Sequence, residues 1–339
     1  MIYPWQQKQA DLLHSAFLQN RLSHAYLLSG VSGLGKTDFA RAFAGFLLCS
    51  QDSLPTKRMK AEATAWSCNI CKACKQFNAG THPDLINIVP EEKSKIIKID
   101  QIRALSEKIS QTSHAGGYQV VIISPADAMP VQAANALLKT LEEPNGKVII
   151  FLIDDQKQVL PATIISRCQK INFSADENNA LNWLTKKMPT EKHIETLFRL
   201  SGGAPLKVKV LSKNNYLSLR DQILNHLEQI ILRRANPITP IVNWLKQDIN
   251  LILEIITLLC VDISRIKNSV PIKYILNQDV YFTLEKIAKK TLSIQLQEFI
   301  DHLNEKKMFL SQGINLNVQL CLESVFIKII TETRPEGCV

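Results

Sequence analysis

No stretch of the 339-residue sequence reaches the ~18 consecutive apolar residues that a membrane-spanning helix needs. The start, Met1-Ile2-Tyr3-Pro4-Trp5-Gln6-Gln7-Lys8, lacks a basic segment followed by an apolar run, so no secretory signal is visible. There is no basic tail and no run of five like charges. The excess of 40 Lys+Arg over 31 Asp+Glu, a net charge of +9, is spread over both halves of the chain. Bulk basicity therefore does not separate an anionic partner from simple solubility. Internal repeats and low-complexity segments are also missing, which excludes a solenoid or a disordered linker protein. What remains is 46% hydrophobic and 21% charged, the balance of an ordinary globular protein. Its length is two to three times that of a usual domain, so two or three cores are expected. A cytoplasmic setting follows from the missing signal, and structural disulfides are rare there. The eight cysteines need another explanation.

The first half alternates short β-rich runs with helical patterns. Ala25–Ser29 reads as a buried strand, followed by a Gly-rich turn and an apolar helix through Leu48. Asp84–Val89 is a second strand, closed by Pro90. Asp100 is the expected N-cap of a helix carrying Ile102, Leu105 and Ile109, with Gly116-Gly117 as its end. Val120-Val121-Ile122-Ile123 is a continuous apolar run, as in a parallel strand buried on both faces. A helix from Ala133 to Glu143, a strand Val148–Ile153, a short helix ending near Arg167 and a strand Gln169–Phe173 complete the series. This spacing predicts a doubly wound α/β domain over residues 1–174. After Ser174 the β signals fade. Short helices over 176–187 and 191–200 and the break at Gly202-Gly203-Ala204-Pro205 mark a small helical domain over 175–212. Residues 213–339 are helical, with Leu219, Ile223, Leu227, Ile230 and Ile231 on one stripe and loops at Pro237–Pro240 and Asn268–Pro271.

Gly30-Val31-Ser32-Gly33-Leu34-Gly35-Lys36-Thr37 matches GxxxxGK[ST] in full, directly after a strand and opening a helix. In such a loop Gly30, Gly33 and Gly35 let backbone N–H groups turn toward a phosphate, and the helix N-terminus adds partial positive charge. Lys36 would reach the β- and γ-phosphates of ATP, and Thr37 would hold Mg²⁺. The other half of a hydrolytic site is missing. An acidic pair belongs at the end of a later buried strand, but Val120–Ile123 runs into Ser124 and Pro125. Hydrolysis is therefore not expected, and the loop is either a nucleotide site or a retained turn.

Cys68-Asn69-Ile70-Cys71-Lys72-Ala73-Cys74 sets three thiols at CxxCxxC spacing, and Cys49 offers a fourth from the end of the preceding helix. Four thiolates suit tetrahedral, structural Zn²⁺. The same run could begin an iron–sulfur site. The module would occupy about 49–80, with the polar stretch Gln51–Ser67 as a surface excursion. Cys168, Cys260, Cys321 and Cys338 have no such neighbours and are expected to be core or tail thiols.

The run Ala134-Asn135-Ala136-Leu137-Leu138-Lys139-Thr140-Leu141-Glu142-Glu143-Pro144, followed by Ser166-Arg167-Cys168, resembles the clamp-loader branch of the AAA+ ATPases. The Cys insertion and Thr81-His82-Pro83-Asp84 are similar to that branch in bacteria. With the lost acidic pair, the pattern is most similar to the delta-prime group of DNA polymerase III clamp-loader subunits. The likeness is dense over about 1–210. It implies an AAA+ α/β domain with an inserted zinc module, a helical lid over 175–212 and an all-α collar over 213–339.

The resemblance also implies roles. Arg167 would be an arginine finger that enters the ATP site of a neighbouring motor subunit, where a guanidinium stabilises transition-state charge without losing its proton. Glu142 and Glu143 would lie at the solvated end of a core helix. Asp154 and Asp155 stand where a Thr or Asn sensor is usual. Gly203-Ala204-Pro205-Leu206 stands where motors place a sensor arginine. Arg103 falls where related subunits face the DNA backbone, although a surface arginine fits the position equally. The implied partners are gamma/tau motor subunits and a delta subunit, with the sliding clamp and primer–template DNA reached through the complex. No intrinsic catalysis is expected of such a stator, which is a subunit of a DNA-directed DNA polymerase holoenzyme. The alternative is an ATP-hydrolysing motor subunit that uses an unconventional acid such as Asp127.

Overall fold

The computed structural model describes all residues except 1, 51–65, 92–93, 111–112, 114–115, 145, 233–235, 237, 239–240, 312–315 and 333–339. Most of the Gln51–Ser67 excursion, both prolines of the 237–240 loop and Cys338 therefore lie outside the described residues. The chain divides into two compact units. One comprises Met1–Glu191 with Gly202–Val208, the other Lys192–Ser201 with Lys209–Val339.

The first unit is built on five parallel strands, β1 (Ala25–Ser29), β2 (Leu85–Ile88), β3 (Gln119–Ile123), β4 (Val148–Asp154) and β5 (Gln169–Asn172), in the order β2-β3-β4-β1-β5. β1, β3 and β4 are buried at every position, which is why they read as unbroken apolar runs. Alternate side chains serve two cores. Tyr26, Leu28, Val120, Ile122 and Phe151 face one, with Phe39 and Phe43 of helix α2 (Lys36–Leu47) and Leu13 of α1 (Gln7–Leu18). Leu27, Val121, Ile123, Ile150 and Leu152 face the other, with Ile102 and Leu105 of a helix at Ile99–Ile109 and Leu137 of one at Val131–Glu142. In chain order the unit's further helices are α3 (Lys72–Asn78), α4 (Ile99–Ile109), α5 (Val131–Glu142), α6 (Ala162–Ile165) and α7 (Glu177–Lys187).

Helix α4 departs from expectation at both ends. Its N-cap is Lys98 rather than Asp100, because Gln101 reaches back to accept from the Lys98 N–H at 2.9 Å. Asp100 falls in the first turn, where its charge still suits the helix dipole. The helix closes at Ile109, before Gly116-Gly117. In the register of the sheet, Ser29 lies beside Asp154 and Ile123 beside Leu152. The carboxyl ends of β1, β3 and β4, with Gly30, Ser124 and Asp155 just beyond them, thus share one edge. In open α/β sheets that edge is where ligands bind.

The second unit is helical: α8 (Ile194–Leu200), the end of α9 (Pro205–Lys213), α10 (Tyr216–Ile231), α11 (Ile241–Trp244), α12 (Ile249–Lys267), α13 (Tyr281–Ala288), α14 (Ser293–Ser311) and α15 (Val318–Glu332). Leu219, Ile223, Leu227 and Ile230 form the buried stripe of α10. The apolar α12 packs against both α13 and α14. Asp262 of α12 is fully buried and accepts from the Leu276 N–H and from the backbone and side chain of Asn277, at 2.8–3.1 Å. Removing it strands these three donors and the Arg265 guanidinium that pairs with it at 3.2 Å, so Asp262→Ala is expected to cost about 3 kcal/mol. Urea denaturation of the full chain followed at the second unit checks this, and an unchanged midpoint would refute it.

Candidate functional site

The Gly-rich turn leaves β1 at Gly30 and enters α2 at Lys36. Gly35 has φ +78°, and a Cβ there would meet the Tyr3 ring at 2.5 Å. Only glycine fits this position. Gly33 has φ +92°, and a Cβ there would come 2.9 Å from the Lys207 backbone nitrogen; its carbonyl accepts from the Leu206 N–H at 3.0 Å. The loop is thus closed on one side by Tyr3 and on the other by the start of α9.

The Lys36 side chain is 2% exposed, and its ammonium is fully engaged. Nζ donates to the Gly30 and Val31 carbonyls at 2.5 and 2.9 Å and pairs with Asp155 Oδ1 at 2.8 Å. These contacts use all three N–H donors of an ammonium. The Asp155 carboxylate thus stands on the lysine that would hold phosphate. Its other oxygen lies 3.9 Å from Lys157 Nζ. Asp154 accepts from Ser29 Oγ at 2.6 Å and from the Gln156 N–H at 2.9 Å. Thr37 Oγ1 and Ser124 Oγ lie 3.1 Å apart, so the residue beyond β3 meets Thr37 with a hydroxyl and no charge. Asp127, the alternative acid, is buried; its Oδ2 accepts from the Lys157 N–H at 2.9 Å, and it braces the loop after β4.

The first residues of the chain secure the loop from outside. Trp5 Nε1 and Gln6 Nε2 donate to the Leu34 carbonyl, and Gln6 also to that of Gly35. Tyr3 stacks on Trp5 at 4.9 Å and donates its hydroxyl to Asp38 at 2.7 Å, with Trp183 edge-on to both rings. Burial and the adjacent Asp38 carboxylate push the Tyr3 phenol up, so it stays a neutral donor. Sequence reasoning missed this clasp. Its signal is faint: a Pro4 start and three polar or aromatic side chains before an amphipathic helix.

The four predicted cysteines come together. Cys49 follows the end of α2, Cys71 caps α3, and Cys68 and Cys74 flank it. The Sγ atoms of Cys49, Cys68, Cys71 and Cys74 all lie within 4.8 Å of one another, with Cys49–Cys71 at 4.0 Å and Cys68–Cys74 at 3.6 Å. A tetrahedron with metal–sulfur bonds of about 2.3 Å has sulfurs about 3.8 Å apart, so this set is positioned to bind a metal ion. Amide N–H groups of Ile70 and Cys71 donate to Cys68 Sγ, and that of Cys74 to Cys71 Sγ, as thiolates require. Burial acts to raise Cys71, but hydrogen bonds from Ser50 and Cys74 outweigh it and leave the thiol at about 5. Burial pushes Cys74 up to about 12, so a cation is needed before all four ionise. Cys260 and Cys321 are core thiols, and burial holds Cys168 at about 11.

Arg167 follows α6 and is about one-third exposed. Its Nε and Nη2 donate to Glu142 Oε1 at 2.8 and 2.5 Å, and Nη1 donates to the Thr163 carbonyl at 3.0 Å. Glu142 is thus paired, whereas the sequence suggested only a solvated helix end. Arg103 is exposed and, among the described residues, reaches only Asp100, at 3.3 Å on its own helix.

These features define an AAA+-type P-loop protein in which β3 runs into Ser124 and Pro125 and not into an acidic pair. A family model described as "DNA polymerase III, delta subunit" matches residues 5–177, and one described as "DNA polymerase III, delta subunit, C terminal" matches 214–331. DNA polymerase III subunit delta' of Pseudomonas aeruginosa is 32% identical over 332 residues, covering 96% of this chain and 97% of its own. The Bacillus subtilis subunit delta' is 34% identical over 232 residues, covering 68% of this chain and 67% of its own. The tau subunit of B. subtilis is 35% identical over 176 residues, 52% of this chain and 29% of its own. The chain belongs to the DNA polymerase III delta' subunit family. Among the described residues no helix is long and apolar enough to cross a membrane.

Proposed function

We propose that this chain is the non-hydrolysing stator of a DNA polymerase III clamp loader, helping to place the sliding clamp on primed DNA. In that assembly it lies beside a gamma/tau motor subunit and contacts delta, and Arg167 completes the motor's ATP site in trans. The observation that carries the non-hydrolysing part is the state of Lys36. An ammonium with all its donors engaged, one of them by Asp155, has none left for a β- or γ-phosphate. Ser124 adds no carboxylate for Mg²⁺ or for an attacking water. The metal at the four cysteines is zinc in a structural role, since a Cys₄ set leaves no open position for a substrate. Arg103, solvated and paired with Asp100 within α4, is a DNA-backbone contact of the assembled loader.

The test uses the purified chain and a loader reconstituted with it. The chain alone turns over no ATP and does not retain a fluorescent ATP analogue. Asp155→Asn, which removes the competing carboxylate, raises retention of that analogue at least tenfold, a gain of about 1.4 kcal/mol. Hydrolysis by the isolated wild-type chain, abolished by Lys36→Ala, would instead make it a motor subunit.

A further inference from the structure

Glu142 is the last residue of α5, where the negative end of the helix dipole disfavours a carboxylate. It is compensated from 25 residues away by Arg167, whose guanidinium it grips by one edge. A guanidinium has five N–H donors in a fixed plane. Glu142 Oε1 takes the Nε–H and one Nη2–H, and the Thr163 carbonyl takes one Nη1–H. Ser166 Oγ, at 3.5 Å from Nη1, is too distant to hold a further hydrogen firmly. One N–H therefore remains on each terminal nitrogen. Each of the two can donate to an oxygen of a phosphate.

We propose that Glu142 is the positioning residue for Arg167: its carboxylate fixes the Nε edge so that the remaining N–H groups of Nη1 and Nη2 stay presented to the γ-phosphate of the neighbouring subunit. This rests on the trans role of Arg167 given above. Without Glu142 the side chain keeps its charge but loses its fixed orientation, and the cost falls on the chemical step rather than on ATP binding. Glu142 touches neither nucleotide nor metal; it acts only through Arg167.

The experiment is steady-state ATP turnover by the reconstituted, DNA-stimulated loader carrying Glu142→Ala, Glu142→Gln, Arg167→Ala or the double alanine variant. The fraction of kcat lost in Arg167→Ala defines the turnover that depends on the finger. Glu142→Ala is expected to lower that fraction about tenfold or more, with KM for ATP within about twofold of wild type. Glu142→Gln keeps an oxygen that accepts from Nε and retains most of it. The double variant is no slower than Arg167→Ala, because both changes act on one group. Normal turnover in Glu142→Ala, alongside a loss in Arg167→Ala, overturns the positioning role and leaves the finger standing. A lowered melting midpoint of the purified Glu142→Ala chain, with a raised KM, overturns it in favour of a structural role. No loss in Arg167→Ala means the trans reading itself is wrong.

Discussion

Replacing Arg167, the proposed trans finger, with alanine is expected to silence the neighbouring ATP site, with a loss on the order of 10³-fold or more at that site. The size follows from what a guanidinium contributes: a fixed positive charge against the oxygens of a phosphoryl group in flight, in a place where water has been excluded. A loader with several motor sites keeps the turnover of the others, so the reading to take is single-turnover hydrolysis resolved into its phases. The fastest DNA-dependent phase served by this chain should vanish. The chain's own stability should barely move. The Arg167–Glu142 pair is one-third to one-half exposed, and pairs of that kind contribute about 0–1 kcal/mol. A melting midpoint unchanged within about 2 °C together with a lost phase supports the assignment. An intact set of phases refutes it.

The second large effect is expected at the cysteines. Cys74→Ser should release the metal, taking content from about one zinc per chain to near none. Apparent zinc affinities in small Cys-rich modules are about 10–16 kcal/mol, so a lost ligand unfolds the module locally rather than softening it. The damage should stop there, because a second anchor is independent of the metal. Trp66, just before Cys68, packs its ring against Phe39, Phe43 and Phe46 of α2 at 5.3–6.2 Å. The expected pattern is rapid proteolysis within about 49–80 with the sheet still protected. Metal analysis and limited proteolysis of the wild type and variant decide it. A metal-free wild type that resists protease equally well would remove the zinc proposal.

Much of the fold was legible because it is encoded locally. Unbroken apolar runs mark β1, β3 and β4, since each strand is buried on both faces and no polar position interrupts it. The phosphate loop and the CxxCxxC run are likewise complete within eight residues or fewer. What stayed hidden are contacts between residues far apart in sequence. Asp155 on Lys36, Glu142 on Arg167 and Tyr3 over Gly35 each depend on which elements the fold brings side by side. The resemblance implied acids, Asp154 and Asp155, where a Thr or Asn sensor is usual. It could not show that Asp155 would turn onto the P-loop lysine itself. The N-terminus of α4 was misplaced for a smaller reason: Gln101 serves as the reciprocal half of a cap and accepts from the Lys98 N–H, which starts the helix two residues earlier than an Asp100 cap would.

The placement of the four tryptophans has an optical consequence. Trp5 and Trp183 lie against the tyrosine that covers the phosphate loop, Trp66 sits over α2 beside the cysteine module, and Trp244 lies edge-on to His226 and tilted against Phe326 in the second unit. The four indoles are thus native fluorophores for three regions. Variants that keep one indole at a time would let emission spectra follow the loop, the module and the helical unit separately, without any attached dye.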